Sequence, residues 1–150
     1  MAAFQAGQQL TAAALNSKAP VGHAQTTVVG TATTTSTSYV DAVSGAGLCT
    51  QAFVVPASGA IVVTISAAMD NSGGSYTYMT FRISGAAGTV NSLTDNAAIH
   101  FGTDDGTHEK TTTVTGLTPG SAGTITATHK VDAGTGTYDY RSITWTPVPA

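Results

Sequence analysis

The sequence is poor in cysteine, in charge and in long apolar runs, and each shortage excludes a class of protein. Its 150 residues include a single cysteine, Cys49, which excludes an intramolecular disulfide and a cysteine-based zinc site. Lysine and arginine together number five and are spread along the chain, so the sequence has no cluster of basic residues that would bind nucleic acid. No apolar run approaches the roughly 20 residues that a membrane-spanning helix needs. The first 15 residues contain no basic side chain and no apolar core of the signal-peptide type, which predicts that the protein folds in a cytoplasm.

The residue patterns of familiar catalytic centres are missing too. The sequence contains no nucleophile elbow, no phosphate-binding glycine loop and no HExxH zinc motif. Its densest polar segment runs from Asp104 to Glu109, close in sequence to His100. Carboxylates and imidazole are ligands for calcium or a transition metal, but the alternating acidic residues of an EF-hand are lacking. We therefore expect a solvated hairpin loop here, with an ion site as the alternative, and a protein that is not an enzyme and uses no cofactor.

Threonine and small residues dominate the composition instead. Threonine (28), alanine (24), glycine (17) and serine (12) make up 81 of the 150 residues. Threonine and valine alternate along much of the chain, which favours β-strands over helices. Turn signals such as Pro-Ala-Ser-Gly at 56–59 and Asn-Ser-Gly-Gly at 71–74 separate the alternating segments. The predicted strands cover residues 27–35, 51–55, 60–69, 75–84, 97–101, 109–115, 123–131 and 137–147.

About eight short strands with no helical pattern between them predict an all-β fold. We expect an antiparallel β-sandwich over residues 26–150, of the immunoglobulin-like or the jelly-roll type, and periodicity does not choose between the two. Ile143 and Trp145 are expected in its core. Cys49 is expected to be buried and unreactive, because it has no cationic neighbour in the sequence.

Two Tyr-x-Tyr pairs lie in predicted hairpin strands, Tyr76 with Tyr78 and Tyr138 with Tyr140. Alternate residues of a strand share one face of the sheet. The four rings therefore form either an exposed surface for stacking on sugars or a partner protein, or a set of rings packed in the core or between subunits. The sequence leaves both arrangements open.

Residues 1–25 differ from the rest of the chain and are predicted to be an attachment arm and linker. Thr11 begins an alanine-rich segment that ends at Asn16, which is long enough for only one or two helical turns. Because such a helix is not stable alone, we expect an extended or short-helical arm that becomes ordered by docking on another surface. The predicted attachment residues are Phe4, Gly7, Gln8, Leu10, Leu15 and Asn16.

The arm also carries a resemblance to known proteins. Its pattern Phe-x-Ala-Gly-Gln-x-Leu-Thr-Ala-Ala-x-Leu-Asn, at 4–16, is similar to the N-terminal segment of small virion proteins of tailed bacteriophages that infect actinobacteria. The segments Val-Val-Pro-Ala-Ser-Gly at 54–59, Val-Thr-Gly-Leu-Thr-Pro-Gly at 114–120 and Arg-Ser-Ile at 141–143 fit the same resemblance. Residues 113–127 resemble, in addition, the late-strand corner of fibronectin type III domains, which usually have a tyrosine where this chain has Gly123.

The phage resemblance implies a virion surface protein that acts by contact rather than by turnover. We expect first a head decoration protein, assembled in the host cytoplasm, that binds the major capsid protein through its arm. It would also contact neighbouring copies of itself, with a trimer as the first expectation. The alternative is a minor tail or tail-fibre protein that binds a host-surface glycan through Tyr76, Tyr78, Tyr138 and Tyr140. The short chain favours the first, because a tail fibre normally needs a long shaft.

Overall fold

The computed structural model describes residues 24–91, 93–102 and 106–150, and nearly all regular structure in these ranges is β-strand. Two antiparallel sheets pack against each other, which confirms the predicted all-β sandwich. The only helical element in these ranges is a single 3₁₀ turn, Asp95–Ala97, and no helix there is long and apolar enough to cross a membrane. The strands are β1 (Ala24–Val28), β2 (Ala32–Thr34), β3 (Ser44–Gly45), β4 (Thr50–Val54), β5 (Ile61–Asn71), β6 (Thr77–Ser84), β7 (Val90–Asn91), β8 (Ile99–Phe101), β9 (Gly106–Val114), β10 (Ala122–Val131) and β11 (Gly136–Pro147).

The last strand of the chain lies in the middle of the first sheet. Sheet 1 has the order β3–β2–β11–β5–β9, and β1 pairs with β11 on the same side as β2. Sheet 2 has the order β4–β10–β6–β7, and β8 pairs with β6 on the same side as β7. The short strands β1 and β2 therefore share one strand position, and β7 and β8 share another. Apart from the two-residue β3, each sheet thus has four strand positions.

Alternating burial explains why these segments fold as strands. In β5 every second side chain from Ile61 to Asn71 is buried, as expected for a sheet with one face on the core. Branched side chains suit such a pleated, half-buried surface. The predicted core residues Ile143 and Trp145 are buried between the sheets, and so is Cys49, as the sequence predicted.

A β-bulge in β11 changes which of its side chains face the core. The pairing with β5 shifts by one residue after Asp139, so that Tyr140 and Arg141 lie opposite a single residue of β5. Tyr140 has a φ of +49°, in the left-handed region that non-glycine residues seldom adopt. As a result Tyr138 and Arg141 are both buried, whereas Tyr140 is exposed.

Two boundaries differ from the sequence-based expectation. β9 begins at Gly106, so residues 106–109 form the start of an edge strand and are not part of a solvated loop. The pairing with β5 supplies this strand with a partner that local sequence does not reveal. β1 begins at Ala24, inside the predicted linker. The predicted acidic loop and the predicted arm also include residues outside the described ranges. These are Asp104 and Asp105 of the loop and the arm residues Phe4, Gly7, Gln8, Leu10, Leu15 and Asn16.

Candidate functional site

A group of aromatic and charged side chains lies on the outer face of sheet 2. Its centre is set by cross-strand pairing, because Lys130 of β10, Tyr78 of β6 and His100 of β8 are direct neighbours across three adjacent strands. The residues next to them in sequence, such as Met79 and Ile99, face the core, so this row faces outward. The name Lys130 cluster is used below for Tyr39, Tyr76, Tyr78, Asp95, His100, Lys130 and Asp132.

Lys130 is the charged centre of the cluster. Its Nζ lies 2.8 Å from both carboxylate oxygens of Asp95 and 3.5 Å from a carboxylate oxygen of Asp132. It also lies 4.5 Å from the ring centroid of Tyr78 and 5.5 Å from that of Tyr39, within the range of a cation–π contact. The Lys130 side chain is 13% exposed, whereas those of Asp95 and Asp132 are 50% and 44% exposed. The charged atoms that the cluster offers to solvent are therefore mainly carboxylate oxygens.

Tyrosine hydroxyls donate to both carboxylates. The Tyr39 hydroxyl lies 2.9 Å from Asp95, and the Tyr78 hydroxyl lies 2.9 Å from Asp132. Burial, reinforced by the bonded carboxylate, raises the pKa of Tyr78 to about 12 and raises the pKa of Tyr39 well above its ordinary value. The hydrogen bond from Lys130 holds the pKa of Asp95 below its ordinary value. At neutral pH the phenols are therefore neutral, and two carboxylates face one ammonium group, which leaves the network with one net negative charge.

Three aromatic rings form the exposed end of the cluster. The ring centroids of Tyr76, Tyr78 and His100 lie between 5.8 and 6.1 Å apart, which is the spacing of interacting aromatic pairs. Tyr76 is half-exposed and His100 is exposed, whereas Tyr78 is buried. Tyr76 and His100 therefore present aromatic surface to solvent, with Tyr78 packed against both.

The structure separates the four tyrosines of the two Tyr-x-Tyr pairs. Tyr138 is fully buried, and its hydroxyl lies 3.1 Å from the carbonyl oxygen of Tyr78 and 2.9 Å from that of Lys130. Tyr140 is exposed on sheet 1, because the bulge breaks its alternation with Tyr138. A single exposed surface of four tyrosines is therefore not formed. Of these four tyrosines, only Tyr76 and Tyr78 belong to the Lys130 cluster.

Sequence reasoning did not single out Lys130 or Tyr39. The alternation of β10, which turns Thr126, Thr128 and Lys130 to one face, is the signal that could have placed Lys130 beside the tyrosine pair. Tyr39 carries no such signal. It is positioned because the next residue, Val40, exchanges backbone hydrogen bonds of 2.9 and 2.8 Å with His129 of β10.

A second polar group is buried between the sheets, beneath the bulge. Arg141 is fully buried, and its Nη2 donates to the carbonyl oxygens of Ala46 (2.9 Å) and Gly47 (2.8 Å), whereas Nε and Nη1 have no hydrogen-bond partner. His129 is also fully buried with both ring nitrogens unpartnered, and its ring centroid lies 4.6 Å from that of Tyr138. Burial, together with the Arg141 charge, lowers the pKa of His129 to about 3. The interior therefore holds a guanidinium group near an imidazole that stays neutral.

Cys49 lies beside this buried group. Its Sγ is 3.7 Å from the carbonyl oxygen of Arg141, and burial raises the pKa of the thiol to about 11. The thiol is therefore protonated at neutral pH and shielded from solvent. Both properties agree with the predicted unreactive cysteine.

The Lys130 cluster is chemically suited to binding. An exposed ring beside carboxylates can stack on the apolar face of a sugar and accept hydrogen bonds from its hydroxyl groups. In residues 24–91, 93–102 and 106–150, no three histidine, cysteine, aspartate or glutamate side chains lie close enough together to hold a metal ion. His100 and His108 have separate partners, because His108 stacks on Phe101 at 4.4 Å.

Comparison of the chain with models of known protein families and with curated proteins found no match.

Proposed function

We propose that this chain is a non-enzymatic structural protein of a tailed-bacteriophage particle and that it decorates the head at the virion surface. In this role the residues that precede β1 bind the major capsid protein, and the β-sandwich lies on the outside of the shell. The observation that carries the proposal is the strand order of the sandwich. It adds to the support that comes from the resemblance of the arm to phage virion proteins.

The strand order favours the jelly roll over the immunoglobulin-like sandwich. With β1 and β2 as one position and β7 and β8 as another, the eight positions can be numbered in chain order. Sheet 1 then reads 1-8-3-6 and sheet 2 reads 2-7-4-5, with antiparallel neighbours throughout. Two-sheet, eight-strand jelly rolls are an architecture of viral capsid domains and of lectins. Because one fold serves many functions, the arm supplies the second, independent support.

The place where the arm joins the sandwich fits the same role. Ala24 begins β1, which lies at an edge of sheet 1 and pairs there with Trp145 on β11. A segment that joins at a sheet edge need not cross the core. Residues that precede Ala24 can therefore contact another subunit while the sandwich keeps its packing.

The number of copies in a particle tests this proposal. Quantitative mass spectrometry of purified particles should find the chain in numbers comparable with those of the major capsid protein. A handful of copies would instead assign it to the tail, and complete absence would contradict a virion role.

Attachment through the arm is tested by adding purified variants to particles that lack the protein. Phe4→Ala or Leu15→Ala should lower occupancy, because each removes a large apolar side chain from the arm. The matched control is Leu93→Ala, which removes an exposed leucine of the sandwich and should leave occupancy unchanged. Equal occupancy for all three variants would move attachment to the sandwich.

The Lys130 cluster favours a second candidate, a minor tail or tail-fibre protein that binds a host-surface glycan. Its exposed Tyr76 ring suits the apolar face of a sugar, and its net negative charge favours neutral sugars over acidic ones. Tyr76→Ala should abolish binding to neutral glycans on an array, whereas Tyr140→Ala, which removes an exposed ring of sheet 1, should not. Unchanged glycan binding by Tyr76→Ala would remove this candidate.

A further inference from the structure

Lys130 and Asp95 are held in a contact that also suits a covalent bond. The Lys130 Nζ lies 2.8 Å from both oxygens of the Asp95 carboxylate. Because both oxygens are bonded to the same carbon, covalent geometry places Nζ no more than about 3.2 Å from the Cγ atom of Asp95. In a pair that is positioned to react, the reacting atoms are about 3–3.5 Å apart. The amine is therefore within reach of the carboxyl carbon.

Two features of the surroundings distinguish this contact from an ordinary surface ion pair. The Lys130 side chain is only 13% exposed, and the rings of Tyr39 and Tyr78 lie against its ammonium group. A second carboxylate, that of Asp132, lies 3.5 Å from the same Nζ. Groups held together in one chain react as if one were present at about 10⁵–10⁸ M, which favours a bond between them over its reversal by water.

The cluster also supplies the other groups that amide formation needs. Asp132 can accept a proton from the attacking amine and return it to the hydroxyl group that leaves. The Tyr39 hydroxyl donates to Oδ1 of Asp95 at 2.9 Å, where it stabilises the negative charge that develops on this oxygen during the attack. Oδ2 is then the oxygen that leaves. The four side chains thus provide a nucleophile, an electrophile, a proton carrier and an oxyanion donor.

The ion pair already holds the protons that the reaction requires. Amide formation starts from a neutral amine and a neutral carboxyl group, and the transfer of one proton from Nζ of Lys130 to Asp95 produces both. The ionic form is favoured, since the hydrogen bond from Lys130 holds the pKa of Asp95 below its ordinary value. We therefore expect a slow reaction that takes place once in each chain.

We propose that Lys130 and Asp95 form an intramolecular isopeptide bond, with Asp132 as the proton carrier. The bond between Nζ and Cγ forms, the bond between Cγ and Oδ2 breaks, and one water molecule leaves, so no oxidant or other reactant is needed. The new bond joins the 3₁₀ turn before β8 to β10, across the intervening strand β6. Such a cross-link restricts the unfolded chain, as a disulfide does. The inference does not rest on the phage role, because all the reacting groups belong to one chain.

The intact mass of the full chain tests the inference. Protein kept for several days at neutral pH should become lighter by the mass of one water molecule. Lys130→Arg and Asp95→Ala should keep the full mass, because the first removes the amine and the second removes the carboxyl group. Asp132→Asn should slow the loss of water at least about a hundredfold, the lower end of what a positioned proton carrier contributes. The matched control is Lys110→Arg, which should still lose water, because the Lys110 amine contacts backbone carbonyl groups.

Peptide mapping by mass spectrometry locates the bond. Trypsin does not cleave at a lysine whose amine is bonded. The expected product is therefore residues 83–110 joined through Asp95 to the uncut residues 111–141, which contain Lys130.

Three results would overturn the inference. One is folded, unsubstituted protein that keeps its full mass, and another is a link through Asp132 in place of Asp95. The third is a loss of water that persists in Lys130→Arg. The fluorescence of Trp145 reports whether each variant is folded, so a failure to react is not confused with a failure to fold.

Discussion

Lowering the pH should destabilise the sandwich through one buried imidazole. His129 is fully buried with no hydrogen-bond partner for either ring nitrogen, and burial and the Arg141 charge lower its pKa from 6.5 to about 3. The unfolded chain, in which the pKa is the ordinary one, therefore binds this proton more readily than the folded chain. Stability is full above pH about 6.5 and declines as the pH falls toward 3.

The magnitude follows from the difference between the two pKa values. Each pH unit inside the window removes about 1.4 kcal/mol, so going from pH 7.5 to 4.5 should remove roughly 2–3 kcal/mol of unfolding free energy. Asp41 and Asp95 have pKa values below their ordinary 3.8, so both carboxylates stay ionised over this interval. The loss is a large fraction of the 5–15 kcal/mol that is typical of single domains, and it is readily measured.

Urea unfolding at pH 7.5 and 4.5, followed by the fluorescence of the single tryptophan, Trp145, measures this loss. His129→Phe keeps an aromatic ring beside Tyr138 but cannot take up a proton, so it should remove most of the pH dependence. His100→Phe, which removes an exposed imidazole, should retain it. The reasoning is refuted if His129→Phe loses as much stability between the two pH values as the unchanged protein does.

Gly123→Ala should lower the free energy of unfolding by about 1–3 kcal/mol, because a Cβ atom there would lie 2.6 Å from the Phe53 ring and 2.8 Å from Ala87. Denaturant unfolding measures this effect, and Gly47→Ala, whose Cβ would meet nothing within 4 Å, is the control that should show no such clash. Asn71→Ala should also lower the free energy of unfolding by about 1–3 kcal/mol, because its buried amide group takes part in three hydrogen bonds. These bonds connect the turn after β5 to the turn after β10. An unchanged unfolding midpoint would contradict this prediction. Attachment to particles should change little in about 1 M salt, because only 9% of residues are charged. Salt at this concentration screens charges that are more than roughly 3 Å apart. Release of most copies in a co-sedimentation assay would argue against an apolar attachment.

Local alternation predicted the strands well, because one face of each strand must be apolar. The repeat of Met79, Phe81 and Ile83 identified β6 and its buried face without knowledge of its partners. Local alternation does not predict which strands pair, because partners such as β11 and β5 are far apart in the sequence. The start of β9 was misplaced for the same reason, because its first residues are held as a strand by β5.

The candidate site was predictable only in part. Tyr76 and Tyr78 were recognised as a pair, but Tyr138 and Tyr140 were grouped with them on the assumption of regular alternation. The bulge that separates the second pair depends on pairing with β5 and leaves no local pattern. Asp95 belongs to the cluster through tertiary contact, as a partner of Lys130, which spacing in the sequence does not reveal.

The buried phenol of Tyr138 gives the two layers of the sandwich a fixed alignment. Apolar side chains hold layers together without directional preference, so they tolerate small sliding movements, whereas a hydrogen bond weakens steeply when its angle changes. The hydroxyl of this central strand reaches the carbonyl groups of both Tyr78 and Lys130, which are paired neighbours in the opposite sheet. A slide of one layer over the other would therefore break these bonds or carry both residues with it. A partner that pulls on the outer surface of sheet 2 is coupled mechanically, through one hydroxyl group, to the middle of sheet 1.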